Sequence, residues 1–275
     1  MKRLLSLATI ILLSVSMLPG CSAAKNDDAA AAKRTISRQY GYIKSFSSIQ
    51  AGQGVKVIYT VSSGAVKVSI KASPDAIDRF EARLANDGTL VLGAKKNAKP
   101  HKSKSNNSDT QVTFYVSGPA VNKITAGSAS EINVSGDYDV KGALDITTSA
   151  AAGISFGAIT AGNVEIDAAS ASWISIDRCC ISNEIEIEAA SAAGVTVKGI
   201  KANTLKIDAA SSASVNATGT ADNVKYEAAS TAKIDAKGLK ADRGSADAAS
   251  CANISCSVTN LQQREASYGS VKNYR

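Results

Sequence analysis

The sequence predicts an all-β protein: a single chain wound into a parallel β-helix of about 20 residues per rung, with an atypical β-rich cap at its N-terminal end. Three observations predict it. From residue 120 onward the chain repeats itself. Around each copy aliphatic residues alternate with polar ones at period two, the period of a strand. Between copies no helical pattern of about twelve residues intervenes, which argues against alternating strands and helices.

The first segment, residues 1–20, reads as a signal peptide. Lys2 and Arg3 precede an apolar run from Leu4 to Leu18, which ends Leu18-Pro19-Gly20-Cys21. A run of ~15 residues falls short of the about 20 that a membrane span needs. Its last four residues resemble a bacterial lipobox, in which Cys21 is diacylated and becomes the mature N-terminus; Pro19 is the one departure. Residues 21–37 read as a flexible tether. In it Asp27 and Asp28 resemble a surface-export signal of Gram-negative lipoproteins. The expectation is an exported protein held to the outer membrane by its lipid, periplasmic or surface-exposed.

That leader changes the charge. The formal +7 and the isoelectric point near 9.1 would suit nucleic-acid binding. Removing Lys2 and Arg3 leaves +5, and Lys95, Lys96, Lys99, Lys102 and Lys104 account for all five. The remaining body is neutral. One basic loop without interleaved aromatics, on an exported protein, does not make a nucleic-acid surface.

Residues 38–118 read as the capping region, with the basic loop at 95–109. Phe46–Tyr59, Val66–Ala72, Thr89–Leu92 and Gln111–Val116 alternate as strands. Asp75–Leu84 is a helix candidate opened by Ser73-Pro74, a cap followed by an N1 proline.

Residues 119–275 carry the repeat. Its signature is Ile166-Asp167-Ala168-Ala169-Ser170, followed by Ile187-Glu188-Ala189-Ala190-Ser191 and Ile207-Asp208-Ala209-Ala210-Ser211. Closing residues 128, 150, 170, 191, 211, 230 and 250 are spaced by 22, 20, 21, 20, 19 and 20. Four places after each stands Ile132, Ile154, Ile174, Val195, Val215, Ile234 or Ile254. Strands this short cannot bury an inner face alone. Stacked at ~4.8 Å per rung, their aliphatics form internal ladders, and Ala-Ala-Ser becomes a tight corner. A core one rung wide also accounts for aromatics at only 5%.

The repeat places the cysteines too. Cys256 falls on an inward position, Cys251 on a corner, and Cys179 and Cys180 three to four rungs away. That separation exceeds the ~7 Å Cα limit of a disulfide. Free structural thiols are expected.

Several segments then point to a family. Phe46-Ser47-Ser48-Ile49, Gly54-Val55-Lys56-Val57-Ile58, Gly88-Thr89-Leu90, Val116-Ser117-Gly118-Pro119 and Ala126-Gly127-Ser128-Ala129-Ser130-Glu131-Ile132-Asn133 occur in that order. Together they resemble the head GIN domain of auto-transporter adhesins, over about residues 40–270. The chain departs in using Ala-Ala-Ser where Ser-Gly-Ala-Ser is more usual, which bears on corner geometry and not on fold class. The resemblance implies a right-handed β-helix, export as a Gram-negative lipoprotein and an adhesive role. It brings no catalytic residues and no cofactor.

Candidate chemistry lies on the outside. Asp167, Glu188, Asp208, Glu227 and Asp247 would stack about 5 Å apart, a possible cation stripe. Calcium needs six or more oxygens converging, whereas a ladder diverges, so a solvated corner neutralised by Lys206, Lys225, Lys233 and Arg243 is the simpler reading. Asp177-Arg178 and Asp137-Tyr138-Asp139 are the off-pattern clusters for polysaccharide lysis or hydrolysis. Trp173, the lone tryptophan, is outward and able to stack on a sugar ring, and the five lysines are a candidate contact for anionic glycan or membrane. With His101 alone in the lysine loop, no nucleophilic triad can be assembled. The expected function is a non-catalytic envelope protein presenting a repetitive surface for adhesion or macromolecular binding, with no metal and no cofactor. The alternative is a polysaccharide-binding or polysaccharide-processing surface lipoprotein.

Overall fold

The computed structural model describes residues 35–96, 98 and 111–274. Strand accounts for 68% and helix for 2%, wound as a β-solenoid of about eight turns. Cys21 with the leader, and Lys99, His101, Lys102 and Lys104, lie outside the described residues.

The chain enters as β1 (Ile36–Gln39), which begins two residues inside the stretch read as tether. It continues as β2 (Ser48–Ala51), β3 (Lys56–Val61) and β4 (Lys67–Ala72). The helix expected over Asp75–Leu84 is a single turn, α1 (Pro74–Ile77), and Phe80–Leu84 is strand β5. Two causes decide this. Ser73 makes no side-chain cap bond, and a lone turn cannot repay its own nucleation. Phe80 to Leu84 pair antiparallel with β6 (Thr89–Ala94), with Ala82 buried at their centre.

The next described strand is β7 (Thr113–Gly118). β6 and β7 stack in register on β2 and β3, whose other edges carry β8 (Lys123–Ala126) and the start of β9 (Glu131–Thr148). The chain therefore lays down one rung, adds the next above it, and crosses back to continue below. Tyr138 pins that crossing, its hydroxyl donating to the Val121 carbonyl (2.7 Å) and accepting the Val121 N–H (3.0 Å). Antiparallel β4 and β1 close the upper edge. Strands β1 to β7 thus supply rungs of the solenoid as well as its antiparallel upper edge.

Below the crossing the winding is regular. In β10 (Gly153–Ala168), Gly153–Phe156 form a first face, 158–161 a second and 163–168 a third, with register breaks at the two corners. The rungs continue through β11 (Trp173–Ile176), β12 (Cys179–Ala189), β13 (Gly194–Ala209), β14 (Ser214–Ala228), β15 (Lys233–Ala248), β16 (Asn253–Glu265) and β17 (Ser270–Asn273). The predicted ladder Ile132, Ile154, Ile174, Val195, Val215, Ile234, Ile254 is stacked in register and buried throughout. Burying each such side chain contributes ~1.5–3 kcal/mol, which makes these ladders the main hold on the fold.

Ala-Ala-Ser resolves into three roles. The first alanine (Ala168, Ala189, Ala209, Ala228, Ala248) points inward and is buried. The second opens a turn whose central pair is left-handed, as Ser170 (φ 56°) and Ala171 (φ 58°) are, with a like pair in every rung down to Ser267 and Tyr268. The Ser172 N–H closes it on the Ala169 carbonyl (3.3 Å), a type I′ turn. A left-handed residue other than glycine costs about 1–2 kcal/mol. The offset is a bond between rungs: Ala171 N–H donates to Ser191 O, and Ala192 N–H to Ser211 O, each at 2.9 Å.

The lower end is closed by side chains. Asn273 pairs through its amide with both the N–H and the carbonyl of Val258, each at 2.9 Å, in place of a further strand. Gln263 occupies the inward position that Ala246 and Tyr226 hold above it, so apolar filling ends there.

Candidate functional site on the outer faces

The third face carries the charge. Asp167, Glu188, Asp208, Glu227 and Asp247 are stacked in register, and Arg264 follows below. Burial and then the neighbouring Glu188 raise the Asp167 carboxyl above its ordinary range. Burial and then Glu227 do the same to Asp208. The next outward row runs Asp145, Glu165, Glu186, Lys206, Lys225. Lys206 pairs with Glu184 (2.9 Å), Lys225 with Glu227 (3.0 Å), and Lys123 with Asp145. A shallow groove of about 380 Å³ runs beside the ladder, lined by Asp208, Glu227, Asp247, Arg264 and the corner alanines. Among the described residues no three His, Cys, Asp or Glu side chains converge on one point. In-register stacking is the cause, since it spreads the carboxylates along an edge.

The first face is different. Trp173 stands outward at 39% exposure, with Gly153 one rung above and Gly194 one rung below. The indole lies over the bare Gly153 backbone, where a Cβ would come within 2.0 Å of the ring. At Gly194 a Cβ would meet nothing within 4 Å. In the adjacent outward row stand Ser155, Ser175 and Thr196. The signal for this arrangement is in the repeat: Gly153, Trp173 and Gly194 each directly precede the aliphatic anchor of their rung.

The remaining predicted positions are dispersed. Lys95 and Lys96 follow β6, and the Lys95 N–H donates to Arg79 O (2.8 Å). Asp177 pairs with Lys198 (3.3 Å). Asp137 and Asp139 are exposed on either side of buried Tyr138. The four described cysteines are free, with Cys179 and Cys256 buried and Cys251 exposed. Among the described residues no helix is long and apolar enough to cross a membrane.

Sequence comparison with protein families matches residues 45–274 to the family described as putative auto-transporter adhesin, head GIN domain. The chain belongs to this family. No curated protein matches it. Solved structures share its fold at low identity. A putative adhesin from Parabacteroides distasonis is 13% identical, with TM-score 0.75 over 88% of this chain and 98% of that one. A putative adhesin from Parabacteroides merdae is 12% identical, with TM-score 0.68 over 88% and 96%. A protein from Parabacteroides distasonis described as a putative lipid binding protein is 16% identical, with TM-score 0.60 over 89% and 98%. Head GIN membership agrees with an adhesion-like role at the cell envelope or surface.

Proposed function

We propose that this head GIN protein is an exported lipoprotein, held to the outer membrane by diacylated Cys21, that presents its solenoid to another macromolecule without catalysis. The observation that carries this is the architecture: aliphatic ladders fill the inside, and the chemistry-bearing side chains lie in register along open outer faces. A glycoside hydrolase needs its two carboxyl groups on opposite sides of the scissile bond. Asp208, Glu227 and Asp247 stand instead in one in-register column along their groove. The interior is packed with side chains, which also speaks against an acyl chain held within it. Its partner is a glycan or another envelope or host-surface macromolecule, and not nucleic acid.

The experiment is to produce the full chain and its Cys21→Ala variant in a Gram-negative host. Detergent-phase partition and retention of the cells on glycoprotein-coated surfaces are then measured. The full chain is expected to enter the detergent phase and retain the cells, and Cys21→Ala to do neither. A water-soluble full chain contradicts the anchor. An anchored chain that retains no cells contradicts the adhesive role.

A further inference from the structure

We infer that the first face around Trp173 is a platform for a neutral polysaccharide chain; this rests on the adhesive function above and names its ligand class.

Charge is the first ground. On that face the outward row containing Trp173 carries no charge from Gly153 to Ser214, and is bounded by Glu131 above and Lys233 below. The row beside it is uncharged from Asn133 to Asn216. The next outward positions, Asp177 and Lys198, pair with each other (3.3 Å), so in a chain with 20% charged residues these two rows offer an ionic ligand no charge. A neutral one loses nothing by desolvating the patch.

Shape is the second. An aromatic side chain on a sheet ordinarily packs against side chains on the neighbouring strands. Trp173 has glycine on both sides, so its ring rests on backbone at Gly153 and looks onto open ground at Gly194. An apolar ring with a polar N–H, level with a bare sheet, suits the C–H face and hydroxyl rim of a pyranose.

Hydroxyl chemistry is the third. Ser155, Ser175 and Thr196 line the ring's flank on successive rungs. The Ser155 hydroxyl donates to Asn133 Oδ1 (2.6 Å) and offers its oxygen as an acceptor, while serine and threonine hydroxyls such as those of Ser175 and Thr196 both donate and accept, as sugar hydroxyls do. Rungs repeat at ~4.8 Å, close to the length of one pyranose unit, so a chain lying along the solenoid meets the same hydroxyl row at each sugar. One aromatic anchor on an open face gives weak binding, with Kd on the order of 0.1–1 mM.

Because the chain has a single tryptophan, its fluorescence reads this site alone. The mature protein, residues 21–275, is titrated with cellohexaose, mannan, dextran and xyloglucan, and with heparin as the anionic counterpart. The expected result is a saturable change in emission with at least one neutral glycan and none with heparin. Retention on that immobilised glycan is expected to fall at least 10-fold in Trp173→Ala. In Gly194→Gln, which keeps the indole and has room for the added side chain, it falls at least 5-fold with an unchanged circular dichroism spectrum. Four results would overturn the inference: silence with all four neutral glycans, a response confined to heparin, retention untouched by Trp173→Ala, or retention untouched by Gly194→Gln. Cell adhesion that survives Trp173→Ala removes this site and leaves the adhesive function standing.

Discussion

Each corner asks two L-residues to adopt a conformation that glycine would take more easily. At Ser191 and Ala192 (φ 53° and 62°) the rung-to-rung bond at 2.9 Å holds the pair in place. A β-branched side chain crowds that backbone; Thr231 (φ 64°) stands at the equivalent position with its hydroxyl donating to the Ser230 carbonyl (2.6 Å), a bond that valine cannot make. Ala192→Val is therefore expected to lower stability by about 1–2 kcal/mol, and Ala192→Asn, which tolerates this conformation, to change it little. Urea midpoints of the two variants check this. Burial pushes the Cys179 thiol up to about 12 and that of Cys256, the cysteine the repeat places inward, up to about 11. Native protein at pH 8 is expected to react with maleimide first at exposed Cys251, and at Cys179 and Cys256 only after denaturation. The same shifts fix a sign. Unfolded thiols lose protons near pH 9 while folded ones keep them, so the unfolded state binds fewer protons above that pH and stability falls. Burial also raises Tyr138 and Tyr226, in the same direction. The denaturation midpoint should drop between about pH 9 and 11; a flat profile would contradict these buried positions.

Elements differ in how clearly the sequence announces them, and the reason is periodicity. The strands of β10 to β16 were legible because each copy confirms its neighbours, and the carboxylate ladder and the inward cysteine followed from the same register. The capping region has no second copy to check against. There Ser73-Pro74 reads locally as a helix start, while the pairing that turns Phe80–Leu84 into a strand comes from β6. Left-handed corners were hidden for another reason: Ser, Ala, Thr and Cys occupy positions where glycine would have given the signal. Trp173 was visible, but its platform depends on two glycines some twenty residues away on either side. In the carboxylate ladder the raised Asp208 carboxyl means that protonation favours the folded state, so stability rises as pH falls through its folded pKa. Asp208→Asn should stabilise at pH 7, at the low end of ~0.2–1 kcal/mol because water screens the ladder, and by less at pH 4. Melting curves at the two pH values decide it.

Across the whole molecule, stability sums over rungs that touch only their neighbours. One complete turn, residues 194–213, begins at Gly194 and ends before its register partner Ser214. Deleting it joins Ala193 to Ser214 and restores the same pairing one rung up. The shortened protein is expected to fold, with small-angle scattering showing a rod shorter by about 5 Å. Deleting residues 35–61 should not be tolerated, because β2 and β3 lie between the rung of β6 and β7 and that of β8 and β9. Insoluble protein is the expected outcome there.

The solenoid that results has aliphatic ladders inside and its chemistry-bearing side chains on the outside. Binding without turnover is what separates the proposed role from catalysis. The most direct measurement incubates the mature protein with a panel of polysaccharides and envelope or host glycoproteins, and follows bound protein and new reducing ends in the same wells. Saturable binding to at least one member with no rise in reducing ends is the predicted result. A time-dependent rise in reducing ends, or binding to none of them, would contradict it.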